Sequence, residues 1–281
     1  MKLPRKPIRH AALAGALALG LALAPGLTAS PALAGEAPTN TVQAQPAYSL
    51  LDVIRARGEL RVGLTGDYKP FSFLDQANGT FTGLDVDMAG ALAKAIGVKL
   101  AIVHTTWPTM MADLMAGKFD LAMGGVTITL ARLEKAYFSI PVMQSGKTAI
   151  ARCADQAKYQ TLAEIDRPGV KVIVNPGGTN QSFDKAHLHH AEIVLFPNNA
   201  TIFEQLVAGK ADVMITDGVE TRLQQKLHPQ LCAIHPGHPF NHSELGYMMP
   251  RDVTLKFFVD EWLREMNETG AHQRLVKKWL G

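Results

Sequence analysis

Little in this sequence points to redox, metal or phosphate chemistry. Cysteine occurs only at Cys153 and Cys232 in 281 residues, aromatic residues amount to 7%, and the formal net charge is +3. There is no C-x-x-C pair, no H-E-x-x-H helix, no P-loop and no G-x-G-x-x-G turn. The motifs of thiol redox enzymes, zinc hydrolases, nucleotide hydrolases and dinucleotide enzymes are therefore missing, and neither a cofactor nor a metal is expected. Histidines cluster as His187, His189 and His190, and again as His235, His238 and His242. They fall on a helix end and a proline-rich loop without acid or cysteine partners at ligand spacing, which argues against a metal site. Lys2, Arg5, Lys6 and Arg9 are included in the net charge of +3, so the rest of the chain is nearly neutral and carries no nucleic-acid footprint.

Beyond the N-terminus no apolar run is long enough to span a bilayer. The N-terminal Ala/Leu/Gly run is interrupted at Pro25 and ends in small residues at Ala32-Leu33-Ala34. After a basic start, this reads as a secretory signal peptide over residues 1–34 rather than a membrane anchor. Residues 35–47 are polar and Pro/Ala-rich and read as a disordered lead-in. Export predicts a periplasmic protein with no membrane attachment once the signal is removed. The oxidising setting favours a Cys153–Cys232 disulfide over two buried free thiols.

Short β-rich runs and 3.6-period helices then alternate. LRVGLT (60–65), KLAIVHT (99–105) and FDLAMGG (119–125) read as strands. LDVDMAGALAKAIG (84–97) and WPTMMADLMAG (107–117) read as the helices between them. The same grammar restarts at 170: strands 170–178, 192–196, 211–217 and 231–235 alternate with helices 179–188, 200–209 and 218–227. Residues 136–153 form a long extended run, a candidate strand crossing between two α/β units, and 244–251 could cross back. The closing segment predicts two helices packed on the first unit. The fold class is therefore α/β, a two-lobed clamshell with two crossover strands. Lobe 1 is placed at 48–146 and 241–281, and lobe 2 at 147–240. Ligands of such sheets bind beyond the carboxyl ends of the strands, here between the lobes.

The residues at those strand ends form a coherent set. GDYKPFS (66–72) offers Asp67, Tyr68 and Phe71 on a loop braced by Pro70, and Trp107 opens the next helix. GGVTITLAR offers Gly125, Thr127 and Arg132; NPGGTN offers Gly178, Thr179 and Asn180; ITDGVE offers Asp217 and Glu220. A glycine turn at a helix N-terminus suits an anion, and arginine grips a carboxylate with parallel hydrogen bonds. Rings at 68, 71 and 107 can flank an apolar or planar body. Taken singly, each is an ordinary turn, core ring or surface ion. Their shared position points to a small carboxylate ligand.

GDYKPFS, FTGLDVDMAGALAKAIG, TTWPTMMADLMAGKFDLAMGG, the T-I-T run ending at Arg132, and YFSIPV resemble the amino-acid-binding family of periplasmic solute-binding proteins, whose fold is the type II clamshell. The resemblance covers about residues 48–280. It implies that Arg132 binds an α-carboxylate, helped by the Gly125 N–H, the Thr127 hydroxyl and Thr179. It places Asp217 at the α-ammonium and Tyr68 and Trp107 beside the ligand side chain. Within that family, SIPVMQSGKT, VNPGGTN, ITDGVETRLQ and the two cysteines resemble the periplasmic cyclohexadienyl dehydratases. Those enzymes convert prephenate to phenylpyruvate and arogenate to phenylalanine. The resemblance implies that Glu220 is the general acid and that Lys147 is catalytic, and a homo-oligomer is compatible with it. Two readings stay open: a periplasmic lyase, or a binding component that delivers an amino acid to an importer. Glu220 with Lys147 separates them, since a plain binder needs no extra acid beside Asp217.

The chemistry of such a lyase demands a proton donor, because hydroxide is a poor leaving group and water a good one. Glu220 follows Asp217 by three residues at a helix start and shares its face. A general acid near neutral pH needs a raised pKa. The helix N-terminus and Lys147 oppose that, while desolvation and an ionised Asp217 favour it. The expectation is that cleft closure dries the site and that desolvation wins. Lys147 either pairs with a substrate carboxylate or orients Glu220, and the orienting role is favoured.

Overall fold

The structure, a computed structural model, describes residues 48–281. The predicted signal peptide and lead-in lie outside the described residues. The chain opens with α1 (Leu50–Arg57), where Ser49 and Asp52 form a reciprocal cap and Gly58 ends the helix in the left-handed region. Then follow β1 (Glu59–Leu64), β2 (Asp67–Tyr68), β3 (Ser72–Asp75), β4 (Thr80–Thr82), α2 (Leu84–Ile96), β5 (Lys99–His104), α3 (Met110–Met115), β6 (Leu121–Ala122), α4 (Leu130–Leu133) and β7 (Tyr137–Phe138). After β8 (Met143–Ser145) and β9 (Lys147–Arg152), the second unit runs through α5 (Leu162–Ile165), β10 (Lys171–Val174), α6 (Thr179–His187), β11 (Glu192–Leu195), α7 (Ile202–Val207), β12 (Val213–Asp217), α8 (Gly218–Leu227) and β13 (Leu231–Ile234). The chain returns by β14 (Ser243–Leu245) and β15 (Met248–Met249), and ends in α9 (Val253–Glu268) and α10 (Ala271–Leu280).

The two main sheets follow one plan. Their orders are β5-β1-β6-β15-β7 and β11-β10-β12-β9-β13. In each, three strands pair in parallel, the earliest of them in the middle: β5-β1-β6 and β11-β10-β12. The fourth place is filled by an antiparallel strand that follows a crossing: β9 enters the second sheet and β15 returns to the first. The expected single extended run over 136–153 is divided into β7, β8 and β9. Between the lobes, β8 pairs antiparallel with β14 as a two-stranded ribbon.

Parallel strands covered on both faces read as continuous apolar runs. Leu60, Val62 and Leu64 of β1 are fully buried, as are Val213, Met214 and Ile215 of β12. One face of the first sheet packs on α1, α2 and α9, with Leu92, Leu255 and Leu263 among the buried side chains. The other face packs on α3 with Phe119. The second sheet buries one face under Phe183 of α6 and the other under Phe203 of α7. As expected, α10 packs on α2 in the first lobe.

Two predicted elements are shorter than expected. The helix expected over 107–117 is confined to α3, because Thr106 and Thr109 close a turn around Pro108 first. The strand expected over 119–125 shrinks to β6, because Gly124 and Gly125 turn away with positive φ.

The second lobe buries a carboxyl group that its packing does not satisfy. Asp184 of α6 is fully buried, and neither of its oxygens has a partner among the described residues. Burial pushes its pKa up to about 8, against the pull of Lys147. A folded pKa above the unfolded one gives stability that is complete below the unfolded pKa and is lost as pH rises through about 8. Asp184→Asn is therefore expected to flatten the fall in stability between pH 6 and 9 by about 2–3 kcal/mol. Chemical denaturation at several pH values measures this, and equal slopes for the two proteins would refute it.

Candidate functional site

The site is built by strand ends that face each other across the lobes. Tyr68, Trp107, Gly125 and Thr127 come from the first lobe; Asn175, Gly178, Thr179, Asn180, Asn199 and Asp217 come from the second. Together they line one cavity. Its volume is about 20 Å³, enough for a single water. Ligand sites usually offer about 300 Å³ or more. The lobes are thus drawn together, and direct bonds hold them. The Tyr68 hydroxyl donates to Asp217 Oδ2 at 2.6 Å, Thr127 Oγ1 meets Thr179 Oγ1 at 3.2 Å, and Asn199 Nδ2 donates to the Asp67 carbonyl at 3.0 Å.

The first wall rests on a β-hairpin rather than a plain loop. Tyr68 pairs with Ser72 across the turn, so Tyr68 faces the cleft while Phe71 is fully buried. Phe71 is therefore not part of the ring wall expected from the sequence. It packs under the glycine turn, where a Cβ on Gly125 would stand 2.6 Å from its ring and 2.7 Å from that of Tyr68. Gly125 has φ +73°, so glycine is required there for both space and conformation. Trp107 stands edge-on to Tyr68 at 5.7 Å, and its Nε1 donates to Asp67 Oδ1 at 3.0 Å. Burial raises the pKa of Asp67.

One expectation for this turn is corrected. The N–H groups of Gly124 and Gly125 both donate to Asp85 Oδ2, at 2.8 and 2.9 Å. The Gly125 N–H is thus engaged by the start of α2 and does not face a ligand. Thr127 forms a bridge to Leu245 of the kind in which its neighbours exchange the hydrogen bonds, Ile128 N–H donating to the Glu244 carbonyl and Gly246 N–H to the Val126 carbonyl. The Thr127 N–H has no acceptor among the described residues. Arg132, in the short α4 capped by Thr129, donates from Nη1 to the Thr127 carbonyl at 2.6 Å. Burial lowers its pKa to about 10, opposed by Asp217. It remains a cation at any working pH, and only one of its five N–H groups is engaged among the described residues.

The second wall joins three β-strand ends to two helix starts. Lys147 begins β9, where it stands opposite Asp217 at the end of β12. Lys147 is 2% exposed, and Nζ donates to Asp217 Oδ1 at 3.0 Å, Asn180 Oδ1 at 2.5 Å and Thr179 Oγ1 at 3.1 Å. All three ammonium hydrogens are engaged, and none reaches Glu220. The direct orienting bond expected from Lys147 to Glu220 is therefore absent; the two are joined through other side chains. Gly178 caps α6, whose first turn carries Thr179 and Asn180 to the cavity. That end of the helix is favourable for an anion.

Glu220 lies in the first turn of α8, as its position after Asp217 requires. It is 1% exposed, behind Asp217 rather than on the cavity lining itself. Thr216 Oγ1 donates to its Oε2 at 2.5 Å. Burial pushes its pKa up to about 8; Asp217 and Asp67 push the same way, while the Thr216 bond and Lys147 pull it down. Desolvation outweighs the Thr216 bond and the lysine, so the carboxyl is held neutral at pH 7. Burial likewise raises the Tyr68 phenol, so it stays a donor to Asp217.

Asp85, Asn175, Asn199 and Thr216 were not singled out in the sequence. Asn175 directly follows β10, the kind of position that selected the others, so its signal was available; Asn199 lies four residues beyond β11, at the start of a 3-10 turn. The side-chain oxygens of both are buried and accept no hydrogen bond among the described residues. Thr216, the fourth of the five residues of β12, is fully buried, and nothing in the sequence distinguishes it from core. In the first histidine cluster, His187 Nδ1 bonds the Phe183 carbonyl and His190 Nδ1 bonds Asp166. Among the described residues no group of metal-ligating side chains is gathered, and no helix is long and apolar enough to cross a membrane. Cys153 and Cys232 are joined by a disulfide.

Comparison with known proteins accords with this geometry. The pattern of the bacterial extracellular solute-binding proteins, family 3, matches residues 60–281. A cyclohexadienyl dehydratase of Pseudomonas aeruginosa is 50% identical over 240 residues, covering 85% of this chain and 88% of the relative. The L-cystine-binding protein TcyJ of Escherichia coli is 30% identical over 234 residues, covering 83% and 86%. Among solved structures, an ancestral amino acid-binding protein that is a precursor of cyclohexadienyl dehydratase superposes with a TM-score of 0.78 at 40% identity, covering 83% of this chain and 100% of that one. An ancestral cyclohexadienyl dehydratase superposes with a TM-score of 0.53 at 51% identity, covering 84% and 98%. By sequence over most of its length and by the type II clamshell its two sheets build, the chain belongs to the bacterial extracellular solute-binding proteins, family 3.

Proposed function

We propose that this chain is a periplasmic cyclohexadienyl dehydratase. It removes the ring hydroxyl and ring carboxylate of prephenate, or of arogenate, in one aromatising step. The observation that carries this reading is the Glu220 carboxyl: fully enclosed, neutral at pH 7, and set immediately behind an amino-acid-type cleft. A transport receptor has no use for such a group, and the relative that is 50% identical carries the name of this activity.

The residues divide the work as follows. Arg132 and the Thr127 N–H hold the carboxylate of the substrate side chain, with the hydroxyls of Thr127 and Thr179 beside them. Asp217 meets an α-ammonium when arogenate is bound, and Tyr68 and Trp107 flank the ring. Gly178, Thr179 and Asn180 place the start of α6 towards substrate anionic oxygens. Glu220 gives its proton to the ring hydroxyl. The carbon–oxygen bond breaks and water leaves; the carbon–carbon bond to the ring carboxylate breaks, its electron pair completes the aromatic ring, and carbon dioxide leaves. Glu220 is left as a carboxylate and regains a proton from solvent once the cleft opens. No electron acceptor is needed, because the step is redox-neutral. Lys147 fixes Asp217 and Asn180 rather than gripping the departing carboxylate, whose charge must disperse.

The closed cavity is too small for such a substrate, so each turnover requires the lobes to part. Lobe 1 (48–146 and 241–281) and lobe 2 (147–240) would move about the β8–β14 ribbon, breaking the Tyr68–Asp217, Thr127–Thr179 and Asn199–Asp67 contacts. The decisive experiment mixes purified protein with prephenate and follows phenylpyruvate by its absorbance in alkali. Turnover is expected. No turnover, with micromolar binding of an amino acid instead, would make the chain the binding component of an importer.

A further inference from the structure

We infer that Thr216, itself oriented by Asn180, fixes which oxygen of Glu220 carries the transferable proton. This inference rests on the acid role proposed for Glu220. It begins at Lys147, whose ammonium can only donate. Asn180 must therefore turn its carbonyl Oδ1 towards Nζ, at 2.5 Å, and its amide nitrogen the other way. That nitrogen donates to Thr216 Oγ1 at 3.0 Å. The Thr216 hydroxyl, fully buried, has one hydrogen of its own, and its only other partner among the described residues is Glu220 Oε2 at 2.5 Å.

Two arrangements of that last bond are conceivable. In one, Thr216 donates to Oε2 and the acid proton rides on Oε1. In the other, Oε2 carries the proton and donates to Thr216, whose oxygen has a second lone pair. The second arrangement leaves the threonine hydrogen without an acceptor among the described residues. An unpaired buried hydroxyl is unfavourable by far more than thermal energy, so the first prevails. Oε1 has no hydrogen-bond partner among the described residues, which leaves it the oxygen able to meet a substrate hydroxyl. The chain of donors from Lys147 through Asn180 and Thr216 thus points in one direction and ends on the acid. Thr216 touches no substrate in this arrangement; it is a positioning residue.

Thr216→Val removes the donor with little change in shape, and Thr216→Ser restores it. In the valine variant, kcat for prephenate is expected to fall about tenfold or more with KM little changed. The basic limb of the pH–rate profile should move to higher pH, because the lost bond had favoured the charged carboxyl. In Thr216→Ser both effects should largely reverse. Infrared spectroscopy tests the proton position without turnover. The band of the neutral carboxyl, identified by its absence in Glu220→Gln, should shift to higher wavenumber in the valine variant and return in the serine one. If the proton sits on Oε2, the carbonyl is already free and no such shift occurs, which would overturn the inference. An equal kcat loss from Thr216→Val in the Glu220→Gln background would also overturn it, by showing a structural role. Should Thr216→Val not fold, Thr216→Ala read against Thr216→Ser gives the same comparisons. If Glu220→Gln alone keeps full kcat, it is the acid assignment that fails.

Discussion

Glu220→Gln is expected to lower kcat for prephenate by about 10²–10⁴-fold, while binding of a carboxylate ligand stays within a few-fold of wild type. Glutamine keeps the shape and an acceptor for the Thr216 hydroxyl, but has no proton to give. The wild-type profile should be flat at lower pH and fall as pH rises through about 8, where the buried carboxyl ionises. The same substitution should raise stability in alkali. The folded pKa of Glu220 lies above its ordinary value of 4.5, so its favourable contribution is complete below that value and is lost as pH rises through about 8. An uncharged amide removes this liability, which is the trade expected where a group is kept for chemistry rather than packing. Steady-state kinetics with thermal melts at pH 6 and 9 test both halves. Survival of kcat would take the acid role from Glu220 and leave the proton donor to another group. A kcat loss with no stability gain in alkali would show that Glu220 is acidic without being held neutral by burial.

Much of the architecture was legible because periodicity and strand ends are local signals. The β–α alternation from 60 to 125 and its restart at 170 reflect sheets covered on both faces, and burial of β1 and β12 obeys that pattern. Element ends were less legible. The glycine pair at 124–125 halts β6 through its backbone conformation, and Pro108 sits in a turn held by Thr106 and Thr109. The meander of β2, β3 and β4 was missed because its strands are too short to show a period. In the site, the residue set could be collected from strand ends, but not who bonds whom. Asp85 captures the Gly125 N–H from a helix start far along the chain, and Thr216 reaches Glu220 from the preceding strand. Partner choice depends on three-dimensional placement and on the rule that buried donors find acceptors. No spacing in the sequence encodes it. The same limit explains why the lysine-to-acid contact was expected as direct and is instead relayed through Asn180 and Thr216.

The disulfide is expected to dominate the stability of the second lobe. Cys153 follows β9 and Cys232 lies in the edge strand β13, at a sequence separation of 79. Closing a loop of that length removes unfolded-state entropy worth about 4.5 kcal/mol, an upper figure because strain and residual structure reduce it. In a chain of this size about 1 kcal/mol shifts the melting temperature by roughly 2–4 °C, so a Cys153→Ser, Cys232→Ser double variant should melt on the order of 10 °C lower. The effect reaches the site through α8, which packs on β13 and carries Glu220 in its first turn. Loosening the edge strand loosens the helix that keeps the acid dry. Reduction by a thiol should therefore lower kcat as well as the melting temperature, and Cys153 is exposed enough for a reductant to reach it. A melting temperature within about 2 °C of wild type would mean that β9 and β13 hold together by their ladder and core alone. A lowered melting temperature with unchanged kcat would mean that α8 is anchored instead by its own contacts with β9 and β12. The predicted outcome couples oxidation to activity: the chain reaches full function only where its two thiols can pair, as in an exported protein.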